Sequence, residues 1–192
     1  MALPLAMTRY RRLILLAVVL VTVLLLVELT GLREQFSLPA LRALLEANLA
    51  AGVLLFVLAF AIGNLIQLPG WPFLAAAILA LGTVAGGLVT YVAACVSCLV
   101  TFQVVQGVGG SALRDIDKPL ARKILARLDR HPLRSVVLLR LLFQTMPALN
   151  YTLALSGVRR RDYLLGSLLG LPLPLLVYCF FFDRIARVLQ LA

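Results

Sequence analysis

The chain reads as an all-α integral membrane protein. Two opposed re-entrant helical hairpins, each followed by a transmembrane helix, form an inverted repeat behind an N-terminal anchor helix. Three observations predict this. First, 62% of the 192 residues are hydrophobic and only 14% are charged, with a mean hydropathy of +1.04; that composition belongs to membrane proteins. Second, the apolar stretch Ser135–Gly157 has basic residues at both ends, Lys123, Arg127, Arg130 and Arg134 before it and Arg159, Arg160 and Arg161 after it. Short Lys/Arg-rich loops stay cytoplasmic, so a segment held at both ends on one side enters the bilayer and returns. Third, the uncharged break Leu68-Pro69-Gly70-Trp71-Pro72 suits a turn inside the membrane better than a water-exposed loop.

A span takes about 20 apolar residues, so the chain has room for a handful of crossings and no soluble domain. The formal charge of +10 collects beside apolar segments, and no nucleic-acid motif accompanies it. A membrane surface is therefore the expected partner, with about 1 kcal/mol of attraction to anionic lipid per juxtamembrane Lys or Arg. No nucleophile triad, metal site or nucleotide loop can be read, so neither an enzyme nor a cofactor is expected.

The first element is Leu13–Leu32, preceded by Arg9, Arg11 and Arg12. Its apolar run exceeds the usual 7–15 residues of a signal-peptide core and no A-x-A site follows, which predicts an uncleaved anchor with its N-terminus inside. Glu28, near the outer end, either pairs with Arg33 or serves a proton relay. In Gly31–Asn48 the leucines 38, 41, 44, 45 and 49 fall at helical spacing, as in an interfacial amphipathic helix. Residues 1–48 thus precede a membrane domain over 49–182, and 183–192 form a short tail.

Leu49–Leu81 is the first hairpin, with Pro69, Gly70 and Pro72 as turn formers and Trp71 either packing at the turn or standing in an aromatic belt. Thr83–Val105 supplies a full crossing. The C-x-x-C of Cys95 and Cys98 lies in this apolar helix without polar neighbours in sequence, as packing residues do. Leu113, Ile116, Leu120, Ile124, Leu125 and Leu128 then recur every three or four residues, marking a cytoplasmic surface helix. His131 is a solvated loop residue. Ser135–Gly157 is the second hairpin, with Pro147 at its turn, and Tyr163–Phe182 is a last span interrupted by Pro172 and Pro174. Pro72-x9-Gly82 and Pro147-x9-Gly157 share their spacing, with Leu-Ala-Leu shortly before each glycine. Inverted repeats with broken helices meeting near the midplane are a secondary-transporter plan.

The same residues carry a family resemblance. Leu68-Pro69-Gly70, Ala75–Ala77 and the run Gly82–Gly87, then Arg140-x6-Pro147-x2-Asn150-Tyr151, Gly157, Gly166, Gly170 and Pro172 resemble the DedA superfamily, whose core is called the VTT domain. The R-x-x-P-x-x-P-x-x-x-N-Y pattern resembles the Tvp-type branch, with one proline, Pro147, standing for its second. The resemblance covers Leu49–Phe182 and implies movement of lipids across membranes, polyprenyl phosphate or phospholipid. It also implies a bacterial cytoplasmic membrane location. Many members carry an acidic residue near the first Pro-Gly; this chain offers Asn64, Gln67 and Trp71 there, and Gln103–Gly110 lacks the arginines of a G-R-x-x-G-R segment. Passive movement is implied over proton-driven antiport.

Arg140, Gln144, Asn150 and Tyr151 are the candidate substrate-binding residues. A guanidinium at the midplane costs several kcal/mol, and its planar fork binds phosphate at two points; the alternative is that Arg140 snorkels to the interface. Gln144, Thr145 and Asn150 either donate to the same headgroup or satisfy backbone freed at the turn. Two other functions stay open at this stage: a membrane-shaping or assembly protein, and a small-solute transporter. Self-association is also left open.

Overall fold

A bilayer offers backbone groups no partners, so a chain of this hydropathy satisfies them within helices. The computed structural model describes residues 37–47, 49–115, 119–143, 146 and 148–188, with positions 14, 18, 21, 22, 25, 28 and 29 of the N-terminal run. Those seven positions are helical. The rest of the anchor, including Arg33, lies outside the described residues, as do Gln144, Thr145 and Pro147.

The amphipathic segment forms α1 (Leu38–Ala47). Leu41 and Leu45 are buried on one face, while Arg42 and Glu46 form an ion pair of 2.6 Å on the other. The leucine face packs against the next two helices. Leu41 and Leu45 therefore meet protein.

Helix α2 (Leu49–Leu65) ends in a Schellman motif. The Leu68 N–H donates to the Gly63 carbonyl at 2.8 Å and the Gln67 N–H to Asn64 at 3.2 Å, with Gln67 in the left-handed region at φ 61°. Pro69 follows, where a helix cannot continue. Helix α3 (Trp71–Leu81) then begins, with Pro72 in its first turn. Pro69 and Gly70 therefore sit in the turn as expected. Pro72 instead starts the helix, where its missing N–H costs nothing. Trp71 is 56% exposed and not packed.

At Gly82 the backbone takes φ 80° and ψ 168°, a region open essentially to glycine alone. It lets α4 (Thr83–Gly109) start in the next residue. Its 27 residues span about 40 Å at ~1.5 Å each, four residues beyond the expected crossing. At Gly86 a Cβ would collide with the Ala77 carbonyl of α3, so the two helices meet backbone to backbone.

After a 3-10 turn at Ala112–Asp115 come α5 (Pro119–Arg130), α6 (Pro132–Phe143), α7 (Ala148–Leu155), α8 (Arg160–Gly170) and α9 (Pro172–Val188). Residues 116–118 of the expected surface helix lie outside the described residues. Within α5, Leu125 and Leu128 are buried and the helix packs on α6, so part of its apolar face meets protein rather than lipid. Gly157, like Gly82, has positive φ, 74°. Helices α8 and α9 make one run, Arg160–Ile185, long and apolar enough to cross a membrane, as is α4.

Helix α4 is the hub, touching α2, α3, α7, α8 and α9. Its first residue meets the far part of α9, where the Thr83 hydroxyl donates to Asp183 at 2.7 Å. Beyond its other end, Arg114 donates through Nε to the Ser156 carbonyl at 2.8 Å and pairs with Asp129 at 2.6 Å. One end of the molecule thus gathers residues 83 and 183; the other gathers 114, 129 and 156.

Candidate functional site

Arg140 is the only charged residue buried among the described residues, at 2% exposure. Sequence explains how it gets there. Helix α8 presents Gly166, Ser167 and Gly170 to α6; an added Cβ would lie 2.6 Å from Val136 Cβ at Gly166 and 2.7 Å from Arg140 Cβ at Gly170. Small residues let backbones approach closely, and the approach carries Arg140 past the surface of α8 into the interior.

There its fork is held by neutral groups. Nε donates to Ser167 Oγ at 3.2 Å, and Nη2 reaches Ser167 Oγ at 3.0 Å, Tyr163 Oη at 3.0 Å and Cys98 Sγ at 3.2 Å. The Tyr163 ring also lies under the guanidinium, 5.3 Å from Cζ to centroid, within cation–π range. Phe102 stacks on that ring at 4.5 Å and fixes its plane. Nη1 bonds to none of the described residues, and none of their carboxylates pairs with Arg140.

From Arg140 a polar chain runs through the core. Tyr163 Oη donates to Asn150 Oδ1 at 3.1 Å, Asn150 Nδ2 to Asn64 Oδ1 at 3.0 Å, and Asn64 Nδ2 to Ser97 Oγ at 2.6 Å. Each group donates to the next, so every link has one sense. The five residues come from α6, α8, α7, α2 and α4. The chain therefore ties the C-terminal end of α2 to the N-terminal end of α7, the tips of the two helix–turn–helix units. Tyr151 ties them again: its hydroxyl donates to the Leu65 carbonyl, which Pro69, four residues on, cannot reach with an N–H.

Beside Arg140 lies a cavity of about 50 Å³ lined by Asn64, Gly70, Phe73, Met146 and Asn150 among others. That volume has room for one or two waters at ~30 Å³ each. Gly70 immediately precedes α3 and Asn150 lies in the first turn of α7, so two helix N-terminal turns, each with partial positive charge, contribute to its lining.

Of the residues expected at the site, Arg140 and Asn150 are brought together. Tyr151 joins the two units but stands apart from the Arg140 chain. Gln144 and Pro147 lie outside the described residues. His131 is exposed between α5 and α6, as expected. Arg134 is exposed in the first turn of α6 and not in a loop. Cys95, Cys98 and Cys179 are free thiols, but Cys98 is more than packing, since it touches Arg140 and donates to Asn150 at 3.7 Å. Tyr163, Ser167 and Ser97 were not legible as site residues. A signal existed: Tyr163 and Ser167 are four apart on one face of a helix whose Gly166 and Gly170 mark the close contact.

Fold and site together define a helical membrane protein whose two helix–turn–helix units meet at a buried cation. Residues 68–184 match the VTT domain family, and the chain belongs to that family, within the DedA superfamily of transporter-like membrane proteins. No match was found among curated proteins or solved structures.

Proposed function

We propose that the protein moves lipids with phosphate headgroups, polyprenyl phosphate or phospholipid, between the leaflets of a bacterial cytoplasmic membrane, with Arg140 as the headgroup anchor. The observation that carries this reading is a buried guanidinium with only neutral partners among the described residues. Breaking the pairing of a buried charge costs about 3–5 kcal/mol, and a phosphate arriving beside it supplies the missing anion with two-point geometry. The helix N-termini at the cavity favour the same charge. Its small volume means the wall must shift to admit a phosphate, as a carrier that alternates between states requires.

In this reading the two helix–turn–helix units are re-entrant hairpins entering from opposite faces. The basic clusters keep the end near Arg114 cytoplasmic and leave Thr83 and Asp183 outside. With no carboxylate in the first hairpin, movement is passive, and the protein is a carrier rather than an enzyme. The spacing of Arg140, Asn150 and Tyr151 supports a Tvp-type member. Single cysteines replacing Arg130 and Arg160, in a background without the native thiols, should both react only from the cytoplasm. Labelling of either from outside removes the two-hairpin topology.

The functional test is loss of leaflet asymmetry in liposomes carrying labelled phospholipid or polyprenyl phosphate. Arg140→Ala should abolish movement, given that a charged contact contributes about 1.5–3 kcal/mol. Arg140→Lys should impair it, because the charge stays and the fork is lost, while the exposed Arg134→Ala should change little. Wild-type transport by Arg140→Ala would defeat the proposal.

A further inference from the structure

Next to the Arg140 cavity lies a second one of about 70 Å³. The two share Phe60, Gly70 and Ala94 as a common wall, but differ in chemistry. Around the second stand Trp71, Leu74, Leu175 and Tyr178, and none of its lining residues is charged. Two of the three shared residues are the small Gly70 and Ala94, and Phe60 is the one large side chain common to both linings. Of the lining residues, Trp71, the first residue of α3, is 56% exposed, while Leu175 of α9 is 9% exposed.

Resting on the phosphate-lipid reading above, we propose that this second cavity is a chain slot. It takes the first segment of the apolar chain while the phosphate lies against Arg140, and the lipid enters sideways past Trp71. A free phosphate needs only the polar compartment. An adjoining apolar one of similar size fits a single chain leaving the headgroup, the chemistry of a polyprenyl or other one-chain phosphate. The slot does not supply affinity through burial from water, because the chain already lies in an apolar solvent. It sets where the chain goes once the phosphate is anchored. Leu175 and Tyr178 are accordingly specificity residues.

The experiment uses the full chain in vesicles of neutral phospholipid, with farnesyl phosphate bearing a diazirine on its chain as probe. On illumination the label should concentrate at residues 71–74 and 175–178. It should fall about tenfold in Arg140→Gln, as expected for loss of one charged contact, and be competed by unlabelled farnesyl phosphate. Leu175→Trp, which fills the slot, should also remove it. Trp71→Ala, at an exposed position that folding tolerates, should lower slot labelling if Leu175→Trp fails to fold. Background labelling at lipid-facing Leu169, 63% exposed, should be unchanged throughout. Labelling that follows exposure alone and ignores the slot variants, with Arg140→Ala still blocking lipid movement, overturns the slot and leaves the phosphate reading standing. If Arg140→Gln labels and transports as wild type, both fail. If inorganic phosphate is carried as readily as the lipid and the slot stays unlabelled, the site serves free anions and the slot is refuted.

Discussion

The Tyr91 hydroxyl donates to the Leu168 carbonyl at 3.0 Å, and Leu168 is the residue four before Pro172. In an uninterrupted helix that carbonyl would accept from the N–H at position 172, which proline lacks. A side chain from α4 thus supplies the bond that α8 and α9 cannot make at their junction. The same device appears at the other junction, where Tyr151 reaches the Leu65 carbonyl that Pro69 leaves. Two prolines break two apolar helices, and a tyrosine from the opposite half of the chain completes each break.

The first prediction follows from this pairing. Tyr91→Phe should destabilise the protein by about 0.5–1.5 kcal/mol, the net worth of one hydrogen bond, read as thermal unfolding in micelles. In a Pro172→Ala background the N–H is restored, so the same substitution should cost clearly less. A double-mutant cycle with no coupling would show that the tyrosine does not serve the proline break.

Gly82 gives a second test. With φ 80° and ψ 168° and no atom within 4 Å of an added Cβ, Gly82→Ala has space but the wrong backbone. A loss of about 1–3 kcal/mol is expected. Gly107 also has open space, but it lies inside helix α4, and Gly107→Ala should stabilise by about 0.5–1 kcal/mol. Equal effects from the two alanines would contradict the conformation at Gly82.

Tyr163→Phe keeps the ring that stacks on Phe102 and underlies Arg140, but removes the hydroxyl joining Arg140 to Asn150. Leaving a buried polar group short of a partner costs about 1–3 kcal/mol. Lipid movement should fall with it, since Arg140 loses one of its three anchors. Phe102→Leu, which leaves every hydroxyl and amide of the polar chain in place, should reduce stability with a smaller effect on transport per unit of stability lost. The comparison is made on the same preparations in the liposome assay.

At the other end, the Arg114 guanidinium holds the Asp129 carboxyl below its ordinary range through a hydrogen bond. A carboxyl with a depressed folded-state pKa contributes stability above its unfolded pKa of ~3.9, and that contribution disappears as pH falls through the lowered value. Wild-type stability at neutral pH should therefore exceed that of Asp129→Asn, with the gap closing in strong acid. Both side chains are substantially exposed, 39% and 53%, so the difference should stay under about 1 kcal/mol and shrink with salt. Arg114→Ala should cost more than Asp129→Asn, because Arg114 also caps the Ser156 carbonyl.

Much of this architecture was legible in the chain itself. Hydropathy set the class, because a backbone in lipid has no solution other than helices or a closed barrel. Pro69, Gly82 and Gly157 marked helix ends through their own restricted or permissive dihedrals, which are local properties. Arg140 stood out because a charge within an apolar run is costly unless partnered. Asn64 carried the same kind of signal, as a polar residue in an otherwise apolar helix.

What the chain could not tell by itself was which neutral groups receive the guanidinium. Hydrophobic spacing locates a face but not the helix opposite it, so the apolar faces of α1 and α5 did not reveal that Leu41, Leu45, Leu125 and Leu128 are buried against protein. Partners in the polar chain lie 13 to 86 positions apart, and only the close packing of α6 on the glycines of α8 brings Arg140 to Ser167 and Tyr163. Tyr151 shows the same limit: beside Asn150 in sequence it resembled a headgroup ligand, yet helical rotation of about 100° per residue turns it away to Leu65. Local chemistry determined which residues are exceptional; the meeting of helices distant in sequence decided what each one touches.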